Sequence, residues 1–179
     1  VRRLDPRKLV FLDETSTRLG MRREHAYAPK GQRAYAGFLR NFGLNRTLLA
    51  AMSLDGVLPS FLVDGGLNRP VFEYYLRDIL LPCLSPGQVL VLDNYVVHKG
   101  DSVEQLASER RVELRYLPAY SPDLNPIESM FAKLKAHLRK AAVMTLTGLS
   151  LATKAALDAV TLADIQGFYS LLDFPRQAL

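Results

Sequence analysis

The sequence predicts one α/β domain with helices laid against both faces of a sheet. Three observations carry this. Strand-like and helical segments alternate along the chain. The run Val89-Leu90-Val91-Leu92 is apolar throughout, as in a strand covered on both sides. No linker or internal repeat divides the 179 residues. At 49% hydrophobic and 23% charged residues the composition is globular, which excludes a disordered tail, a collagenous repeat or a charged linker.

Lys8-Leu9-Val10-Phe11-Leu12 reads as a strand that stops at the acids Asp13-Glu14. Residues 16–46, rich in glycine and in Lys and Arg, read as short strands or loops of a basic hairpin. Segments 47–53 and 57–63 flank Asp55-Gly56, a strong tight-turn signal, and form a second hairpin. Asn68 caps a helix that starts near Pro70, carries Phe72, Leu76, Ile79 and Leu80 on one side and ends at Pro82. The apolar strand 89–92 ends in Asp93. A helix over about 101–110, a strand over 112–117 and a proline-rich loop over 118–125 follow. Pro126 opens a helix with an apolar stripe of Ile127, Phe131, Leu134 and Leu138. One or two C-terminal helices, from about residue 147, carry Leu149, Ala152, Ala156 and Val160.

The formal charge is +5, from 23 Lys and Arg against 18 Asp and Glu, which favours a polyanionic partner. Cys83, the single cysteine, allows no internal disulfide and reads as a buried thiol. No apolar stretch approaches a bilayer-spanning length and the N-terminus has no signal-peptide core, so an intracellular, cytoplasmic setting and no membrane partner are expected. Opening on Val1 rather than methionine suggests a processed product or a fragment of something longer.

Three acids stand at element ends: Asp13 after the first strand, Asp93 after the central one, and Glu128 in the first turn of a helix. Sites in open α/β sheets gather where strands end, so these carboxylates can converge. With no cysteine or paired histidine beside them, they make an all-oxygen site suited to Mg2+ or Mn2+. Two such ions about 4 Å apart can activate a water and stabilise the leaving oxygen of a phosphodiester. Strand alternation sends Asp13 and Glu14 to opposite faces, so at most one joins the site. Each acid also has a purely structural role open to it. Asp13 can serve as a turn residue, and Asn125-Pro126-Ile127-Glu128 reads as a capping box in which Glu128 only satisfies a backbone amide. His25, His98 and His137 lack zinc-like spacing and are expected at the surface or supporting the site.

Leu12-Asp13-Glu14-Thr15, then Leu92-Asp93-Asn94 with His98-Lys99, then the motif from Tyr120 through Ser121-Pro122-Asp123-Leu124-Asn125-Pro126-Ile127-Glu128 together resemble the catalytic domain of DDE-type transposases. The likeness is to the insertion-sequence branch of the mariner superfamily, in which the 34 residues between Asp93 and Glu128 are a typical interval. It extends from about Lys8 to Ala142, with Ala28-Pro29-Lys30-Gly31-Gln32 and Phe131-Ala132-Lys133-Leu134-Lys135 also matching. The resemblance implies a ribonuclease H-like fold, a mixed central sheet flanked by helices. It also implies two Mg2+ (or Mn2+) ions held by Asp13, Asp93 and Glu128, with Asn94, His98 and Asn125 in support. The implied activity is cleavage at the inverted repeats that end a transposon, followed by transfer of the 3′ hydroxyl to target DNA, commonly at TA, in a dimeric or larger assembly. Such proteins carry an N-terminal helix-turn-helix that reads the repeats, and no segment of that kind precedes Asp5.

The cations Lys133, Lys135, Arg139 and Lys140 follow Glu128 along its helix, and Lys99 follows Asp93; all are candidates for DNA phosphates. An ordinary solvated helix face explains the same pattern. Other readings of the whole are a non-catalytic DNA-binding remnant of a transposase and a nuclease acting on RNA–DNA hybrids. The opening Phe11-Leu12-Asp13-Glu14-Thr15 also resembles that of haloacid-dehalogenase-like phosphatases, but these need a second Asp where Thr15 stands.

Overall fold

The computed structural model describes residues 4–23, 27–35, 45–119 and 121–172. A six-stranded mixed sheet forms its centre. β1 (Leu9–Arg18) pairs in parallel with β5 (Val89–Leu92), from Leu9 opposite Val89 to Leu12 opposite Leu92. β5 pairs in parallel with the edge strand β6 (Glu113–Tyr116). On its other side β1 pairs antiparallel with β2 (Asn45–Ser53), which in turn carries β3 (Gly56–Val57) and β4 (Phe61–Asp64). Gly56 takes φ +149°, a conformation that the tight turn demands and L side chains rarely adopt.

Alternation along β1 divides the core in two. Leu9 and Phe11 face a layer built from α3 (Ile127–Ala141), α4 (Leu146–Asp158) and α5 (Leu162–Ser170). Val10 and Leu12 face a layer containing α1 (Arg69–Tyr74) and α2 (Asp101–Glu109). Every side chain of β5 is buried, because both layers cover it. Tyr169 of α5 packs edge-on against Phe11, ring centroids 5.4 Å apart, and its hydroxyl donates to the Leu9 carbonyl at 3.0 Å. Truncating Phe11 at the centre of this packing would cost about 3–5 kcal/mol.

The element order follows the sequence reading, with four local differences. β1 does not stop at Asp13: Thr15, Ser16 and Thr17 continue pairing with β2 as far as Arg18 opposite Asn45. Between β1 and β2, the described residues from 19 to 35 form no strand. The helix capped by Asn68, whose Oδ1 accepts from the Val71 amide at 3.0 Å, keeps α geometry only to Tyr74. It then widens into a π-helix over Tyr75–Leu80 and tightens into a 3-10 turn over Leu81–Cys83, so Pro82 lies inside the winding. That last turn directs Leu81 inward and leaves Cys83 exposed, contrary to the expected buried thiol. No helix of the described residues is long and apolar enough to cross a membrane.

Candidate active site

Continuing the parallel register one residue past Leu12 and Leu92 sets Asp13 beside Asp93, both with the parity that faces α3. Glu128 enters from the first turn of α3, whose Ile127, Met130, Phe131, Leu134 and Leu138 anchor it on that same sheet face. Asp13, Asp93 and Glu128 therefore line one cleft of about 420 Å³, with Asn94, Tyr95 and Asn125 also in its wall.

The acids differ in their surroundings. Asp13 is 6% exposed; its Oδ1 accepts from the Glu14 amide at 2.7 Å and its Oδ2 from Asn125 Nδ2 at 2.7 Å. Burial, reinforced by the negative charges of Glu14, Asp93 and Glu128 and opposed by the Glu14 amide, pushes its pKa up to about 7. Asp93 Oδ1 accepts from the Tyr95 amide at 3.0 Å and contacts His98 Nδ1 at 2.6 Å. Burial alone would raise this carboxyl, but the bonds from His98 and Tyr95, with the charges of His98 and Lys99, hold it below the ordinary carboxylate value. Glu128 is exposed, and among the described residues its carboxylate has no hydrogen-bond or ion-pair partner.

The expected capping box does not form. Pro126 rather than Asn125 is the N-cap, with no side-chain cap bond: Asn125 turns its Nδ2 to Asp13 Oδ2, its Oδ1 accepts nothing, and its backbone amide donates to the Pro122 carbonyl rather than to Glu128. This leaves Glu128 free of a structural duty. His98 lies wholly buried behind Asp93; His137 is exposed, and His25 falls outside the described residues, as does Tyr120. Burial disfavours the charged imidazole, yet the bond to Asp93 and the Glu14 carboxylate beside Nε2 outweigh that and raise its pKa to about 9.

Among the candidate DNA contacts, Lys133 is paired with Asp164 of α5, the acid of a capping box closed by Thr161. Lys133 and Thr161 hold that carboxyl well below the usual range. Lys140 and Lys99 are exposed, while Lys135 and Arg139 are half-buried. Lys99 Nζ also sits 5.8 Å from the centroid of the Tyr116 ring. Sequence reasoning weighed Glu14 only as an alternative to Asp13 and gave no role to Tyr95. Glu14 carried a signal in its inward parity beside Leu12, which demands a partner; Tyr95 carried none.

Among the described residues, no group of three or more His, Cys, Asp or Glu forms a ready-made metal cage. The donor set nevertheless fits a hard cation: it is all oxygen, burial and then neighbouring carboxylates disfavour Asp13 as an anion, and Asn125 Oδ1 is buried without a partner. Mg2+ in particular binds through one or two carboxylates together with water and phosphate oxygens, so an open arrangement suits it.

The model of the family described as DDE superfamily endonuclease matches residues 8–149. The Tcb1 transposase of a Caenorhabditis briggsae transposable element is 35% identical over 81 residues, 43% of this chain and 30% of that protein. The Tcb2 transposase of the same organism is 31% identical over the same shares. The chain thus spans under a third of the length of these curated relatives. Among solved structures, the Mos1 transposase paired-end complex with left transposon end superposes with a TM-score of 0.77 at 20% identity, over 94% of this chain and 53% of that one. The mariner Mos1 paired end complex with Mg gives 0.75 at 21% identity, over 92% and 52%. The catalytic domain of Mos1 mariner transposase gives 0.67 at 17% identity, over 93% and 78%, so the expected ribonuclease H-like architecture is met. With its matched segment covering both the sheet and the acid-lined cleft, this chain belongs to the DDE superfamily endonuclease family.

Proposed function

We propose that this chain is the catalytic part of a transposase, which cleaves DNA at transposon ends and transfers the 3′ hydroxyl to target DNA, with Asp13, Asp93 and Glu128 holding Mg2+ or Mn2+. The observation that carries the reading is the single cleft lined by three carboxylates from three separate elements. The Mg-containing Mos1 complex and the transposon end in another Mos1 complex support a divalent cation and a DNA substrate.

Two bound ions would supply Lewis-acid stabilisation of the attacking and leaving oxygens of a phosphodiester. The chain's own residues supply the frame. Asp93 stays ionised near neutrality because His98 and the Tyr95 amide hold Oδ1, and its Oδ2 keeps no protein partner among the described residues. Asp13 is oriented by its two donors and, without a nearby cation, holds its proton well above the ordinary carboxylate range. Glu128 carries an uncommitted carboxylate to the open side of the cleft. Lys135, Lys140 and Lys99 provide charge for phosphates, whereas Lys133 is engaged by Asp164.

Recognition of terminal inverted repeats, a TA target and a homodimeric or larger DNA complex belong to the same proposal. The test is nicking of DNA with pre-cleaved ends in Mg2+, Mn2+ or Ca2+. Nicking that needs Mg2+ or Mn2+ and disappears in Asp93→Asn is the expected result. Salt-sensitive DNA retention without any metal-dependent nicking would mark a binding remnant and overturn the catalytic reading.

A further inference from the structure

We propose that Glu14 is a positioning residue, which acts through His98 to fix the carboxylate of Asp93 and to tie the end of β5 to β1. The inference rests on the reading of Asp93 as a metal ligand. Glu14 follows Asp13 directly but has the opposite parity, so it points away from the acid-lined cleft and toward the layer that holds α1 and α2. There its Oε2 lies 2.9 Å from His98 Nε2, while His98 Nδ1 lies 2.6 Å from Asp93 Oδ1. Carboxylates only accept, so Nδ1 donates its hydrogen to Asp93 Oδ1, while Nε2 lies in ion-pair contact with Glu14. The Nε2 contact is not an aligned hydrogen bond, and charge attraction dominates it.

The ring between them has little freedom. His98 is 0% exposed, its ring centroid is 4.5 Å from that of Phe72, and Tyr95 meets it edge-on at 5.6 Å. Its backbone carbonyl accepts from the Tyr116 hydroxyl at 3.0 Å. The Arg69 guanidinium donates to the carbonyl of Val96 at 2.9 Å and to that of Lys99, which closes the loop around the histidine. The chain Glu14–His98–Asp93 therefore joins the strand that carries Asp13 to the strand end that carries Asp93. Loss of Glu14 leaves Nε2 buried with no acceptor, and the shift that relieves this unpaired group draws Nδ1 away from Asp93 Oδ1. Partners behind metal ligands typically govern affinity by about 10–100-fold.

The test is Mn2+ binding to the full chain, monitored through loss of the free-ion electron paramagnetic resonance signal. Glu14→Ala should weaken binding by about tenfold. The isosteric Glu14→Gln, which keeps an oxygen near Nε2, should weaken it less. His98→Asn should match or exceed Glu14→Ala, and the double variant should be no worse than His98→Asn alone, because both act through one chain of contacts. Val112→Ala, in the buried core at the end of the sheet far from Asp93, provides a destabilised protein with undiminished affinity. Asp93→Asn marks complete loss of the site. Unchanged affinity in Glu14→Ala while Asp93→Asn loses it, or additive losses in the double variant, would overturn the inference alone. Equal Mn2+ binding by the parent chain and Asp93→Asn would overturn it together with the metal-site reading.

Discussion

Asp13 and Asp93 stand side by side on parallel strands, yet their carboxyls move in opposite directions, one up to about 7 and the other below the ordinary value. What lies behind each explains the difference. Asp13 is buried against a neutral amide, Asn125, and other carboxylates, so ionisation is costly there. Asp93 is half-buried against an imidazole that is itself held by a second carboxylate. One acid is thus electrostatically unsatisfied until a cation arrives; the other is preset as an anion. Glu128, with neither kind of support, is adjustable. A cleft of this composition can be organised before metal binds without being a closed cage.

The comparison breaks most visibly in activity. Asp93→Asn and Glu128→Gln should each reduce metal-dependent nicking to background while circular dichroism retains the parent spectrum. Next in size is stability. Because the folded-state pKa of Asp13 is raised from 3.8 to about 7, its favourable contribution is complete below pH 3.8 and is lost as pH rises through 7. In urea unfolding without metal, Asp13→Asn should match the parent near pH 4 and exceed it above pH 7 by a few kcal/mol, since each tenfold change in an ionisation constant is worth about 1.4 kcal/mol. Added Mn2+ should narrow that gap by stabilising only the parent. His98 behaves differently. With a pKa raised from 6.5 to about 9, its contribution is full below 6.5 and fades through 9, so the deficit of His98→Asn should shrink over that interval.

Asn125→Ala removes one donor from a buried carboxylate and should cost about 1–3 kcal/mol, most of it above pH 7 where Asp13 is charged. The smallest effects belong to the basic rim. Lys135→Ala and Lys140→Ala should each lower the slope of log affinity for DNA against log salt by about one, whereas Lys133→Ala should chiefly loosen α5 through loss of the Asp164 pair. An equal fall in salt slope for Lys133→Ala would place that lysine back among the phosphate contacts.

Much of this arrangement was legible in the sequence. The apolar run 89–92 announced a strand covered on both faces, and the stripe Ile127, Phe131, Leu134, Leu138 announced how α3 lies against the sheet; all four of those side chains are buried. The cleft followed from acids at consecutive element ends. The failures share a physical cause: they depend on partners distant in sequence. Asn125-Pro126-Ile127-Glu128 satisfies every local rule for a capping box, but Asp13, 112 residues away, takes the asparagine. Lys133 looked solvent-facing until Asp164, 31 residues on, engaged it. His98, expected in support of the site, does bond Asp93 five positions back; only its second partner, Glu14 on another strand, went unread. The π-helix after Tyr74 has no marker in local propensity either.

The most direct measurement is the location of Mn2+ by anomalous scattering in crystals of the chain. Ion density is expected in the cleft, coordinated by carboxylate oxygens of Asp13, Asp93 and Glu128, and lost in Asp93→Asn. Density bound elsewhere on the chain, with that cleft empty at saturating Mn2+, would contradict it.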